Sequence, residues 1–338
     1  MKIVLGVDAG SSKTHALLLD ESGRVLGFGI GGGGNHQSHG LAVALVEIEK
    51  AVKLAIGDYP LPLESACFCL AGADLKEDYS MLQDAMEKLN VARSVLVKND
   101  TFAAMRAGLT HHWGVVVICG SGFNAAVRSP DGREFVLPGL GPMSGDWGGG
   151  SALAEEMIRL VMRASDGRGK PTLLTEAVLK ALDVPSVDEL LRNLYLDKIP
   201  RKKIMALVPI LFKTAEKGDE VARELIIMMG IETGVTARAL IRRLGLEEQN
   251  PEVVLGGSVY KGEGSLLLNT IKSEIHKNYP GVHVKKPQFE PVVGAGLLAL
   301  ESIGVEVNEK VMGRLAETLP EQLKIDNKTS NNFLEANV

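Results

Sequence analysis

One structural unit occurs twice in this chain, and it limits the fold more than any other feature. Ile3–Val7 is a short apolar run that stops at Asp8-Ala9-Gly10-Ser11-Ser12. A second run, Thr14–Leu19, is followed by a turn at Asp20-Glu21-Ser22-Gly23 and a third run, Arg24–Ile30. Short apolar runs separated by Gly, Ser and Asp read as strands, and turns this tight make an antiparallel meander. The pattern returns about 110 residues later. Gly114–Cys119 is a strand, Gly120-Ser121-Gly122 its turn, Ala125–Arg128 the next strand, Ser129-Pro130-Asp131-Gly132 the next turn, and Arg133–Leu137 the third strand. Gly10 to Gly23 spans 13 residues and Gly120 to Gly132 spans 12. The recurrence predicts two units on one plan, against the alternative of a chance likeness between two hairpin sheets. The expected division is residues 1–110 and 111–304, with 305–338 a tail packing back on the first unit.

Between the two copies, helices and strands alternate, which implies a parallel sheet and an α/β class. Leu41, Leu45, Ile48, Val52 and Ala55 recur at helical spacing over Leu41–Ala55. Ala66–Leu70 reads as a buried strand, Asp78–Leu89 as a helix, Ser94–Lys98 as a strand, and a further helix begins near Thr101. The second half is more helical: Ser151–Ala164, Lys202–Glu216, Asp219–Leu244, Gly264–Asn278 and Val293–Ile303. Glu252–Leu255 and Val282–Val284 read as strands. From Val305 the signal fades, and Asp326–Asn332 is polar enough to fray.

Composition narrows the function classes. The 38 glycines are neither periodic nor set in a Pro/Ser-rich tract, which excludes collagen and a disordered linker. Nineteen of them fall within residues 1–40 and 120–150, beside the repeated unit. A formal net charge of −5 lacks the basic footprint of a nucleic-acid binder. Arg201-Lys202-Lys203 reads as a solvated helix end. Cys67, Cys69 and Cys119 all lie in apolar runs, as buried thiols of a reducing compartment do. The first residues turn acidic too early for a secretory signal, and no apolar run has membrane-spanning length. The expectation is a cytoplasmic protein with no membrane partner.

The glycine turns carry the candidate chemistry. Asp8-Ala9-Gly10-Ser11-Ser12-Lys13 places an Asp at a strand end, then small residues whose backbone N–H groups can approach phosphate oxygens. Asp8 is suited to hold Mg²⁺ through water. The other reading is an ordinary hairpin turn; Gly-x4-Gly-Lys-Ser/Thr, the P-loop pattern, is absent. Gly120-Ser121-Gly122 holds the equivalent place in the second copy, and two such turns across a cleft would clamp one triphosphate. Asp100 lies where a strand stops and a helix starts, either as an N-cap or as a general base at the carboxyl end of a strand. Asp146, in the glycine-rich loop of residues 139–150, reads as a hydroxyl acceptor or a turn former. Asn35 offers donor and acceptor to a sugar hydroxyl, and His36 beside it is a base, a ligand or a structural histidine. Gly256-Gly257-Ser258 is a strand-to-helix turn that admits a flat base close to the backbone.

Taken together and in order, these motifs resemble the actin/Hsp70/sugar-kinase superfamily, and within it the BadF/BadG/BcrA/BcrD ATPase family, especially its N-acetylglucosamine kinase branch. The resemblance covers roughly residues 2–304. It implies duplicated actin-like (ribonuclease H-like) domains, each a mixed five-stranded sheet flanked by helices, with a cleft between them. It implies an ATP-dependent, Mg²⁺-assisted sugar kinase acting on N-acetylglucosamine or glucosamine, and a homodimer. By the same resemblance Asp8, Gly10, Ser11, Ser12 and Lys13 belong to the first phosphate motif, and Gly120, Ser121 and Gly122 to the second. Gly256, Gly257 and Ser258 match the adenosine motif. Asp100 matches the catalytic Asp. Asn35, His36, Phe123, Asn124, Gly139, Leu140, Gly141 and Asp146 fall on the sugar side. Phe123, Leu140 and Trp147 depart from the residues common there, which bears on which sugar is accepted.

Two rivals belong to the same fold. An ATPase activator of a dehydratase or reductase needs cysteines after the second phosphate motif, and none follows Cys119. A non-catalytic sugar-sensing protein of the repressor kind needs a DNA-binding extension, whereas this sequence opens on the Ile3 strand.

Overall fold

The computed structural model describes residues 1–325. Its first part runs β1 (Ile3–Ala9), β2 (Thr14–Asp20), β3 (Val25–Gly31), α1 (His36–His39), α2 (Leu41–Ile56), β4 (Leu63–Leu70), α3 (Lys76–Glu87), β5 (Ala92–Asn99) and α4 (Asp100–Gly108). Then come β6 (Gly114–Cys119), β7 (Phe123–Arg128), β8 (Glu134–Val136), α5 (Gly149–Ser165), α6 (Leu174–Leu182), α7 (Val187–Tyr195), α8 (Arg201–Met205), α9 (Val208–Glu216) and α10 (Glu220–Arg243). The order closes with β9 (Glu252–Gly256), α11 (Leu266–His276), β10 (His283–Lys285), α12 (Pro291–Ser302) and α13 (Glu309–Thr318).

The strands form two five-stranded sheets, ordered β3-β2-β1-β4-β5 and β10-β9-β6-β7-β8. In each, a three-stranded antiparallel meander is extended by two parallel strands. The two sheets therefore share one plan, with β1 corresponding to β6, and both are mixed and flanked by helices.

Three apolar layers hold them. Behind the first sheet, Leu5, Val7, Leu18 and Phe68 pack on Ile48 and Val52 of α2 and on Leu82 of α3. Behind the second, Val115, Val117 and Val253 pack on the α5–α11 helices. Between the sheets, Val4, Leu17 and Cys67 share a layer with Val116, Ala126 and Val254 through α4 and α12. Helix α12 is admitted by glycine: a Cβ on Gly6 of β1 would stand 2.1 Å from the backbone N of Gly296. Thus α12, although it follows β10 of the second sheet, packs against β1 of the first. Ion pairs also span the sheets: Lys98 Nζ lies 2.8 Å from both carboxylate oxygens of Glu134, and Arg128 reaches Glu301 at 3.7 Å.

Two local expectations change. Residues 202–216 do not form one helix: α8 ends at Met205 and α9 restarts at Val208. Pro209, in the first turn of α9, has no N–H to give and its ring would clash with the carbonyl of Met205. The segment after Val305 contains α13, capped by Asn308 and burying Val311 and Leu315. Its short amphipathic stretch has no signal beyond those two residues. The N–H of Val25 in β3 donates to Thr318 Oγ1, which ties this helix to the first sheet. The polar stretch 326–332 lies outside the described residues.

Candidate active site

Strand β1 delivers Asp8 to the carboxyl end of the first sheet, in register with His15 on β2 and Cys69 on β4. Strand alternation puts Asp8 on the face shared by Val4 and Gly6, the one that receives α12. The turn beyond is closed by the Gly10 N–H donating to the Lys13 carbonyl at 2.9 Å. A second bond, Gly34 N–H to the Gly10 carbonyl at 2.9 Å, ties it to the chain leaving β3. Ser11, Ser12 and Lys13 are exposed on the turn. Lys13 Nζ lies 3.0 Å from Glu290 Oε2.

Asp100 is not the cap of α4. Asn99 is: its Oδ1 accepts from the Thr101 N–H at 3.0 Å and from Thr101 Oγ1 at 2.6 Å. Asp100 is therefore the first helical residue, with its carboxyl at the positive end of the helix rather than spent on the cap. Asn99 Nδ2 in turn donates to Ala73 O and, at 3.0 Å, to Asp74 Oδ1. Gln37 Nε2 donates to the other Asp74 oxygen at 3.3 Å. Asn35 caps α1 through Gln37 N–H and donates to Ser11 Oγ at 3.0 Å. His36 Nε2 lies 3.4 Å from Asp78 Oδ1, and its buried Nδ1 has no hydrogen-bond partner among the described residues. One polar web thus links the first glycine turn through Asn35, Gln37 and Asp74 to Asn99, the residue before Asp100.

This web carries more negative than positive charge. Burial pushes the Asp8 carboxyl up to about 8; the nearby Asp100 and Glu290 charges add to the effect and Lys13 opposes it. Solvent still reaches an edge of Asp8, which is not wholly buried. Asp100 is raised to about 6, first by burial and then by the Asp74 charge, against the backbone N–H groups of Thr101 and Asp100. Burial also raises Asp74. His15 is lowered to about 4 by burial, helped by the positive Lys13. A carboxyl near 6 is ionised at neutral pH yet basic enough to accept a proton.

The second turn is closed in the same way, by the Gly120 N–H donating to the Gly122 carbonyl at 3.0 Å. The N–H groups of Gly150 and Ser151, opening α5, donate to the carbonyls of Gly120 and Ser121. A side chain at Gly120 or Gly122 would meet nothing within 4 Å, so their backbone faces open space. Gly256 ends β9, and Gly257 turns at φ +105°, with a Cβ there lying 2.4 Å from the carbonyl O of Cys119. That position accepts only glycine, and it brings the third glycine turn against the second; Ser258 beside it is exposed.

The sugar-side candidates of the second half are dispersed. The Phe123 ring packs into the core behind the second sheet, where a Cβ on Gly148 would touch it at 2.8 Å. Asn124 Oδ1 accepts from the Ala125 N–H, beside Gly139. Leu140 is exposed. Asp146 folds into its own loop, Oδ2 accepting from the Gly141 N–H at 3.2 Å and from Ser144 Oγ at 2.7 Å. The turn-former reading describes that oxygen. The sequence reading passed over Asp74, Gln37, Asp78 and Glu290. Asp74 follows a buried strand within a few residues, and that position was the available signal.

A model of the BadF/BadG/BcrA/BcrD ATPase family matches residues 5–299 of the chain. The chain is 27% identical over 316 residues to the N-acetyl-D-glucosamine kinase of Dictyostelium discoideum, covering 89% of this chain and 98% of that protein. It is 26% identical over 302 residues to the N-acetylmuramic acid/N-acetylglucosamine kinase of Clostridium acetobutylicum, covering 88% and 98%. The solved structure of a protein assigned as an N-acetylglucosamine kinase from Chromobacterium violaceum superposes with a TM-score of 0.65 at 21% identity, covering 88% of this chain and 99% of that one. Among the described residues, no helix is long and apolar enough to cross a membrane.

Proposed function

The chain belongs to the BadF/BadG/BcrA/BcrD ATPase family, and we propose that within it the protein is an ATP-dependent kinase of amino sugars of the N-acetylglucosamine or glucosamine type. The observation that carries the reading is Asp100: a carboxyl at the first helical position of α4, left free by the cap that Asn99 makes, and raised to about 6 by burial and by the charge of Asp74. The kinase names of the two relatives support it.

In this reading Asp100 accepts the proton of a sugar hydroxyl as its oxygen attacks the γ-phosphorus, and ADP leaves. The N–H groups of the turns at Gly10–Lys13 and Gly120–Gly122 position the phosphates, and Gly256–Ser258 lies along the nucleoside. Phosphoryl transfer asks mainly for such positioning and charge stabilisation. Asn35 and Asp74 hold the sugar near Asp100. The side chains near Asp8 fit Mg²⁺ by their chemistry: Asp8 is a carboxyl at a strand end, raised first by burial and further by the charges of Asp100 and Glu290, which a cation would offset. Asp8 would hold the ion through its water shell. Bound there, Mg²⁺ neutralises charge on the phosphates.

The test is an ADP-release screen over amino sugars and hexoses with Mg-ATP, run on the wild type and Asp100→Asn. Turnover on an amino sugar, cut about 10²- to 10⁴-fold in Asp100→Asn with nucleotide binding kept, is the expected result. Near-normal kcat in Asp100→Asn removes Asp100 as the base, and no turnover on any amino sugar removes the substrate class.

A further inference from the structure

We infer that Glu290 makes nucleotide binding at this site depend on a divalent cation; the inference rests on the nucleotide reading given above. Three observations carry it. First, Lys13, on the exposed first turn, is the cation that opposes the crowding of carboxylates around Asp8, and its Nζ is engaged by Glu290 at 3.0 Å. Second, the Glu290 carboxylate is not spent on a capping bond to its own helix, although the residue stands at the N-cap of α12.

Third, its backbone is held in place. The Glu290 N–H donates to the Leu323 carbonyl at 3.0 Å, the Ile325 N–H donates to the Gln288 carbonyl at 3.1 Å, and Phe289 pairs with Lys324. Residues 323–325 therefore brace residues 288–290 and keep the Glu290 carboxylate, 23% exposed, against the phosphate turn.

The consequence is electrostatic. A metal-free triphosphate approaching this turn meets the charges of Asp100 and Glu290, while the charge of Lys13 is already answered. A metal-bound triphosphate carries less net charge and brings its own cation to the carboxylates. A cation held beside Glu290 would take over its charge and leave Lys13 for the phosphate. Glu290 thus acts against the wrong form of the ligand more than for the right one. It is a positioning and selectivity residue, not a proton carrier.

The experiment is calorimetric binding of ADP and of a non-hydrolysable ATP analogue, with excess Mg²⁺ and with EDTA. It compares wild type, Glu290→Gln, Glu290→Asp and Glu290→Gln/Lys13→Met. The wild type should bind far more weakly in EDTA. Glu290→Gln should narrow the EDTA-to-Mg²⁺ ratio of Kd about tenfold, mainly by tightening metal-free binding, the scale expected for one half-screened charge beside the ligand. Glu290→Asp should keep the wild-type ratio. Lys13→Met in the Gln background should abolish the gain, because Lys13 supplies it. An unchanged ratio in Glu290→Gln, or a ratio that narrows only because Mg²⁺-nucleotide binding weakens, overturns the inference while the nucleotide site stands. A wild type that binds nucleotide in neither buffer overturns both readings.

Discussion

Replacing Asp8 by Asn should stabilise the protein, and the gain should grow with pH. An ordinary Asp titrates near 3.8 and this one near 8, so the fold holds a proton that the unfolded chain has released across that whole interval. Where the native state binds more protons, stability falls as pH rises. At pH 7 the interval already crossed is roughly three pH units, which at about 1.4 kcal/mol each sets a ceiling of ~4 kcal/mol. The Asp8 carboxyl keeps some contact with solvent, and an Asn amide needs hydrogen-bond partners of its own, so about 2 kcal/mol is the working figure.

Urea unfolding of wild type and Asp8→Asn at pH 5 and pH 8, without metal or nucleotide, measures it. The wild type should lose stability between the two pH values. The variant should lose about 2 kcal/mol less, keeping only the part due to Asp100 and the other raised carboxyls. Its melting temperature at pH 8 should exceed the wild type's by roughly 3 °C. Parallel pH dependences, or a variant less stable than wild type at pH 8, would refute the reasoning. Asp8 would then be an adequately solvated or hydrogen-bonded carboxylate, and the upward push that a cation would offset there would vanish.

Two other outcomes follow from the same geometry. The rate of sugar phosphorylation should rise with pH through about 6 and then level, as Asp100 loses its proton. In Asp74→Asn that acid limb should move to lower pH, because a like charge is removed from beside the base, and a limb that stays in place would unlink the two. Gly257→Ala should cost more than about 2 kcal/mol in thermal unfolding and weaken nucleotide binding, since its Cβ would lie 2.4 Å from the Cys119 carbonyl oxygen at a φ of +105°. A variant with wild-type melting and affinity would show that the second and third glycine turns do not depend on each other.

Much of this molecule is local, and what is local was legible in the sequence. A strand, a glycine turn and the next antiparallel strand are neighbours along the chain, so alternating apolar runs and turn residues suffice to read them. Both copies of the meander appear with edges displaced by one or two residues, and Asp8, Asp100 and the glycine turns stand at strand ends where ligands collect. Side-chain direction and distant encounters were not legible. Phe123 and Asp146 lie on the expected segments, but the ring turns into the core and one carboxylate oxygen turns into its own loop. The cap of α4 fell to Asn99 because its amide bonds both ways, to the helix and to Asp74. Lys13 meets Glu290 across 277 residues of sequence because Gly6 and Gly296 let α12 close on β1. Sequence period and turn chemistry act over a few residues and determined the two sheets. The balance of charge at the site depends on which groups are driven together out of water, and only the packed tertiary structure decided that.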